Sequence, residues 1–183
     1  MRRFSFAYIS ILVGVVLWLP VSLCAEETTS REYKIKAAYL YNLIKFVNWP
    51  SGRQLEMNTA GQTSICILGH NPFSTHLEKL TSRKAKGRDI IIKYILPQDT
   101  PEQCNIVFIS EHNKNSRQLL SNSLLVGAAT LTVGENSNFV NSGGIVSLIV
   151  QNNNVQLQIN LAEAKKTGFQ ISGNLLEIAE VIQ

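Results

Sequence analysis

Asn105 to Ser110 (NIVFIS) places four large apolar residues side by side with nothing polar between them. Successive side chains of a strand point to opposite faces, so such a run is buried on both. That condition is met by a sheet covered on both sides, and central parallel strands are its usual occupants. Ile145 to Val150 (IVSLIV) is a second apolar run, with Ser147 within it, and Ser64 to Gly69 (SICILG) reads as a short buried strand.

The other segments fit around these three. Arg88 to Ile95 (RDIIIKYI) is rich in β-branched residues and reads as a strand, with a turn at Lys86-Gly87 before it. Thr130 to Val133 is a short strand. The polar tetrad Gln151 to Asn154 suits a hairpin, and Val155 to Leu161 (VQLQINL) alternates, with one face buried and one wet. Helical patterns cover Phe73 to about Leu80, capped by Asn71 with Pro72 first, then Ser116 to Leu125, Ala162 to Lys166, and Ser172 to Ile182. Ser51 to Thr63 is loop-like. The expected fold is an α/β, three-layer single domain with a mixed sheet, parallel in its N-terminal part, ending in an antiparallel hairpin and flanked by helices. No repeat or internal domain boundary is visible.

Lys34 to Pro50 (KIKAAYLYNLIKFVNWP) is the most apolar helical pattern. At about 100° per residue, Lys34, Asn42, Lys45 and Asn48 share one narrow stripe. Almost all the rest is apolar, with Lys36 and Ala38 as the interruptions. The apolar face is wider than the roughly 100° that a surface helix needs, which implies a deep position or a partner. Trp49-Pro50 ends the helix, because the residue before proline avoids the α region.

Residues 1–25 read as a cleaved secretory signal: Arg2 and Arg3, an apolar run from Phe4 to Leu19, then Pro20 and small residues to Cys24 and Ala25. An uncleaved N-terminal anchor is the alternative. The expected domain spans residues 26–183, with Glu26 to Arg31 as a frayed polar start. Without its first 25 residues the chain carries 15 Lys+Arg against 13 Asp+Glu, so its basicity is slight. Lys79, Arg83, Lys84, Lys86 and Arg88 cluster, but no aromatic interleaves them, so no nucleic-acid partner is implied and the cluster reads as solvated.

Cys66 and Cys104 are the cysteines left beyond the signal. In an exported protein an isolated pair reads as a disulfide, with two buried thiols as the alternative. Ligands for a metal are missing around them, and no cofactor is implied. Nucleophile-elbow, dinucleotide and phosphate-loop motifs do not occur in the sequence. Gly69, His70, Ser110 and His112 follow predicted strands, at the end where open α/β sheets place ligands, and form a candidate pocket. The plain alternative is that they are turn residues bonded to backbone. Asn141-Ser142-Gly143-Gly144 could wrap an anion but also fits a common glycine-rich turn.

Five segments, in this order, resemble the YfiR-like family of bacterial periplasmic proteins. They are Leu40 to Pro50, with Tyr41-Asn42, Lys45-Phe46 and Trp49-Pro50; Ile65 to Gly69 running into Pro72-Phe73; Cys104 to Ser110; Leu131 to Val133 with Gly143 to Ile145; and Val155 to Leu161 with Ser172 to Leu176. The resemblance spans nearly all of residues 26–183, and the first segment is its most specific. It implies a regulator rather than an enzyme. It further implies a periplasmic repressor that contacts the periplasmic region of a membrane-bound diguanylate cyclase, lowering cyclic di-GMP and biofilm formation. An outer-membrane lipoprotein as releasing partner, a homodimer, and a disulfide at Cys66 and Cys104 belong to the same expectation. A second cysteine pair found in some members near the C-terminal hairpin has no counterpart here. A small-molecule binding module and an enzyme using the same strand ends are the alternatives.

Overall fold

The computed structural model describes residues 22–50, 61–96, 99, 104–110 and 130–182, with side chains from residue 27 onward. The expected helix Ser116 to Leu125, most of the loop Ser51 to Thr63, and His112 lie outside the described residues.

Eight strands form one sheet: β2 (Gln62–Leu68), β3 (Lys84–Ala85), β4 (Arg88–Ile95), β5 (Ile106–Ile109), β6 (Leu131–Gly134), β7 (Val146–Gln151), β8 (Asn154–Asn160) and β10 (Ala179–Ile182). Their order is β10-β8-β7-β6-β5-β2-β4-β3. The five strands β4, β2, β5, β6 and β7 run parallel. The β3–β4 and β7–β8 hairpins are antiparallel, and β10 returns parallel to β8. β5 sits inside this array and is buried at all four positions, as its unbroken apolar run requires.

Outside the sheet the chain forms α1 (Ser22–Phe46), α2 (Ser137–Asn141), α3 (Leu161–Lys166) and α4 (Gly173–Leu176). β1 (Val47–Asn48) pairs antiparallel with β9 (Gln170–Ile171) as a separate two-stranded ribbon. Leu40, Leu43 and Ile44 of α1 pack on one sheet face, with Ile65, Ile67, Ile106, Phe108, Leu131 and Val133. The opposite face buries Cys66, Leu68, Val107 and Ile109 with Cys104 and Phe139. The mixed sheet with helices around it is the α/β fold the pattern implied.

Both hairpins are built on short polar turns. Lys86 and Gly87 have φ of 50° and 76°, and Asn152 and Asn153 have φ of 50° and 60°. Two successive positive φ values match the right-handed twist of the flanking strands. Asparagine and glycine tolerate that conformation, whereas Lys86 adopts it at some cost.

Several expectations are corrected. In the full chain Glu26 to Arg31 belong to α1, and α1 stops at Phe46 rather than at Trp49-Pro50, before Val47-Asn48 turns into β1. The segment after Asn71 is not an α-helix: Asn71 Oδ1 accepts from Phe73 N at 3.0 Å, and the chain continues through turns into a 3-10 turn at Glu78–Leu80. Ser172 to Ile182 holds only four residues of α4 before β10. There the open edge of β8 offers backbone partners that a helix would leave unused. The same pairing sets Glu180 beside Gln158, which is buried and donates to Glu180 Oε2 at 2.8 Å instead of facing water.

The turn Asn141 to Gly144 does not wrap an anion. Its N–H groups point into the protein: Gly143 N to Val140 O, Gly144 N to Phe139 O at 3.0 Å, and Ile145 N to Thr132 Oγ1 at 3.0 Å. Both Gly134 and Gly144 lie against the Phe139 ring, where an added Cβ would overlap it. Overpacking of this kind costs about 1–3 kcal/mol, so Gly134→Ala is expected to lower the unfolding free energy from urea titration by that much. A stability equal to wild type would mean that the Phe139 ring moves aside freely.

Candidate functional site

The chain goes from β2 outward to β4 and then back past β2 to β5, so the direction of winding reverses between β2 and β5. Open α/β sheets bind ligands beyond the strand carboxyl ends at such a reversal. Leu68 pairs with Ile109, which brings the next residues, Gly69 and Ser110, to that place side by side. Gly69 has φ of 80° and donates its N–H to Ile95 O at 2.9 Å, closing the end of β2 against β4. His70 comes next and is exposed. Ser110 is buried, and its hydroxyl has no hydrogen-bond partner among the described residues. His112, the fourth expected pocket residue, lies outside the described residues.

On the α1 side, the space beyond these strands holds the chain's own side chains. Phe73 is fully buried edge-on to Phe108 at 4.7 Å and to Tyr33 of α1 at 5.4 Å. Such ring pairs add about 0.5–1.5 kcal/mol each beyond their buried area. Next to them, Lys36 Nζ donates to Glu135 Oε2 at 2.7 Å and also meets Glu32 one turn earlier. Tyr33 Oη donates to the same Glu135 oxygen at 3.2 Å, and Lys36 Nζ lies 4.7 Å from the Tyr33 ring centre. Glu135 directly follows β6, so this buried network ties α1 to the carboxyl edge of the sheet. In the sequence Lys36 was visible only as a break in an apolar face. A lysine in such a stripe implies a buried acid, since an unpaired buried ammonium is too costly.

The Tyr41 to Pro50 signature meets the opposite, amino edge of the sheet. Tyr41 Oη donates to Lys84 O at 3.2 Å. Lys45 Nζ lies 5.5 Å from the Phe46 ring centre. Trp49 is buried edge-on to Phe169 at 6.0 Å, and its Nε1–H donates to Asn105 O at 3.3 Å. Lys86 Nζ donates to Val47 O at 2.8 Å and Asn48 Oδ1 at 2.7 Å, and partial burial draws its pKa below the usual lysine value. Ser172 N donates to Phe46 O at 2.9 Å. Pro50 abuts Gly168, where φ is 85° and an added Cβ would come within 3.1 Å of Pro50 Cγ. Asn42 is half-buried. Ile44, Trp49, Thr63, Lys86, Arg88 and Asn105 line a recess with room for about one water molecule. Most of the signature therefore locks the end of α1 into the fold, and its wide apolar face is spent largely on the core.

Cys66 of β2 and Cys104, at the entrance to β5, are joined by a disulfide, with a Cα–Cα distance of 5.8 Å. Both are buried. The bridge links the two strands that flank the winding reversal. Among the described residues no group of three His, Cys, Asp or Glu side chains is placed to hold a metal ion.

A family profile described as YfiR/HmsC-like matches residues 33–180. No curated protein matches the chain by sequence. Several solved structures are similar to the chain, and two of them follow. One is a conserved domain protein from Vibrio cholerae O1 biovar El Tor, 16% identical, covering 71% of this chain and 57% of that one, with a TM-score of 0.50. The other is the ABC domain from Streptococcus pneumoniae in complex with L-Trp, 14% identical, covering 71% and 60%, with a TM-score of 0.49. The chain thus spans less than two thirds of either neighbour. The likeness to the Vibrio protein concerns the fold alone.

Proposed function

Because the chain belongs to the YfiR/HmsC-like family over residues 33–180, we propose that it is a periplasmic regulatory binding protein. It represses a membrane-bound diguanylate cyclase by occupying the cyclase's periplasmic region, and so lowers cyclic di-GMP and biofilm formation. The family membership carries this reading. In it, residues 1–25 act as a cleaved export signal, the protein works as a homodimer, and an outer-membrane lipoprotein relieves repression by sequestering it.

A binder shifts an equilibrium only by its differential affinity for the two states. Taking a cyclase from nearly all active to nearly all inactive requires roughly 5.5 kcal/mol of such preference. Deleting the gene is expected to raise cellular cyclic di-GMP, measured by mass spectrometry of cell extracts. An unchanged level in every growth condition would overturn the repression.

The buried Ser110 hydroxyl at the winding reversal, without a partner among the described residues, favours a second reading, a small-molecule site at the strand ends. A thermal-shift screen of metabolites is its test. A hit that loses its effect in Ser110→Ala supports the site, and a hit that keeps it places the ligand elsewhere.

A further inference from the structure

α1 and the segment from His76 to Lys86 run side by side along the surface. Ser30 and His76 meet at 3.2 Å near one end, and Tyr41 and Lys84 meet through the tyrosine hydroxyl near the other. The seam between them is predominantly basic, with Glu78 as an exposed acid beside Lys79. Lys34 and Lys45 lie on the exposed stripe of α1, and Lys79, Arg83 and Lys84 are exposed on the facing segment. The Arg83 guanidinium and Lys45 Nζ both gather on the Tyr41 ring, each 5.6 Å from its centre. The acids of this segment and its hairpin are Glu78 and Asp89, and Asp89 is held by Lys84 at 2.8 Å. Among the described residues, Lys34, Lys45, Lys79 and Arg83 have no carboxylate partner.

Like charges held together in this way raise the free protein's energy and are relieved by an anionic partner. We propose that this seam is a docking strip for an acidic protein segment, resting on the regulatory-binding reading above and naming the surface it would use. Lys34 to Lys45 spans about 16 Å of helix, the reach of roughly five extended residues. Arg83, whose guanidinium lies over the Tyr41 ring, offers a planar fork that fits a carboxylate. A lipid surface fits less well. Among the described residues, the exposed large apolar side chains, Tyr94, Leu96, Val150, Ile178 and Val181, lie outside the seam, which therefore offers no fully exposed apolar side chain for insertion.

The test is fluorescence polarisation of labelled hexaglutamate with the purified protein at low salt, beside flotation with phosphatidylglycerol vesicles. Wild type is expected to bind the peptide, and to weaken as salt rises. Lys45→Glu with Arg83→Glu is expected to lose about tenfold or more in affinity. Lys45→Gln with Arg83→Gln, which removes the charges without reversal, should lose about threefold and stands in if the reversal perturbs folding. The same reversal at exposed positions of α3, Lys165→Glu with Lys166→Glu, should leave binding as in wild type. Equal peptide binding by all variants overturns the proposal, and so does binding to vesicles but not to peptide. Neither result bears on cyclic di-GMP after gene deletion, so failure of the strip and failure of the regulatory reading are told apart.

Discussion

Reducing the Cys66–Cys104 bridge is expected to lower unfolding free energy by about 4 kcal/mol. The cysteines are 38 residues apart, and in the chain-entropy view closing a loop of that length removes this much freedom from the unfolded chain. The native sheet has its own reason to persist without the bond. β2 and β5 pair in parallel register from Ile65–Ile106 to Leu68–Ile109, and both strands are buried. The loss should therefore show as a lower midpoint of a still cooperative transition, with a fall in Tm of roughly 8–16 °C for a domain of this size. Because both sulfurs are buried, reductant should act slowly on the native protein and quickly in denaturant. Thermal melts of fully oxidised and fully reduced protein give the measurement, with Cys66→Ala/Cys104→Ala as the control whose Tm ignores reductant. Equal melting temperatures would mean that the bridge adds nothing to stability.

How far the sequence could be read depended on whether the deciding interaction was local. The run Ile106 to Ile109 announced a strand buried on both faces, because no other environment accepts four large apolar residues in extended chain. The Asn152-Asn153 turn was legible because asparagine tolerates positive φ. β10 was not legible. The segment from Leu175 to Ile182 has helical spacing, yet Ile178 is 61% exposed, so local periodicity did not describe what is buried. The edge of β8 decides the outcome, and that edge exists only once the sheet is built. The candidate site divides in the same way. Gly69 and Ser110 were placed at strand ends by pattern alone, and parallel pairing sets them beside one another. The partner of Lys36 could not be read, since Glu135 lies 99 residues further along the chain. The role of Tyr41 was equally hidden, because Arg83 and Lys84 reach it from a different segment.

The Lys36–Glu135 pair should be costly to break from one side and cheap to replace from both. Its side chains are only 3% and 1% exposed, so neither charge can turn to water when its partner is removed. Lys36→Met removes the buried ammonium that faces the Glu135 carboxylate, and breaking a buried pair from one side costs about 3–5 kcal/mol. Glu135→Leu should cost less, because Lys36 keeps Glu32, whose side chain is 27% exposed and partly solvated. The double variant Lys36→Met/Glu135→Leu removes both desolvated charges and fills their volume with apolar atoms. Replacements of this kind are often neutral or stabilising. Recovery here should be incomplete, since the Tyr33 hydroxyl loses its bond to Glu135, an effect of about 1 kcal/mol. Urea unfolding of the four proteins closes the cycle, with a coupling energy of at least about 2 kcal/mol expected from residues that share one network. If the double variant is as unstable as Lys36→Met alone, the loss lies in packing of the lysine stem against α1 and Tyr33. If it recovers, the pair contributes little net stability, and its effect is to fix how α1 seats on the carboxyl edge of the sheet. A seating error of one helical turn would then leave two charges buried apart, which an apolar contact in the same place would not penalise.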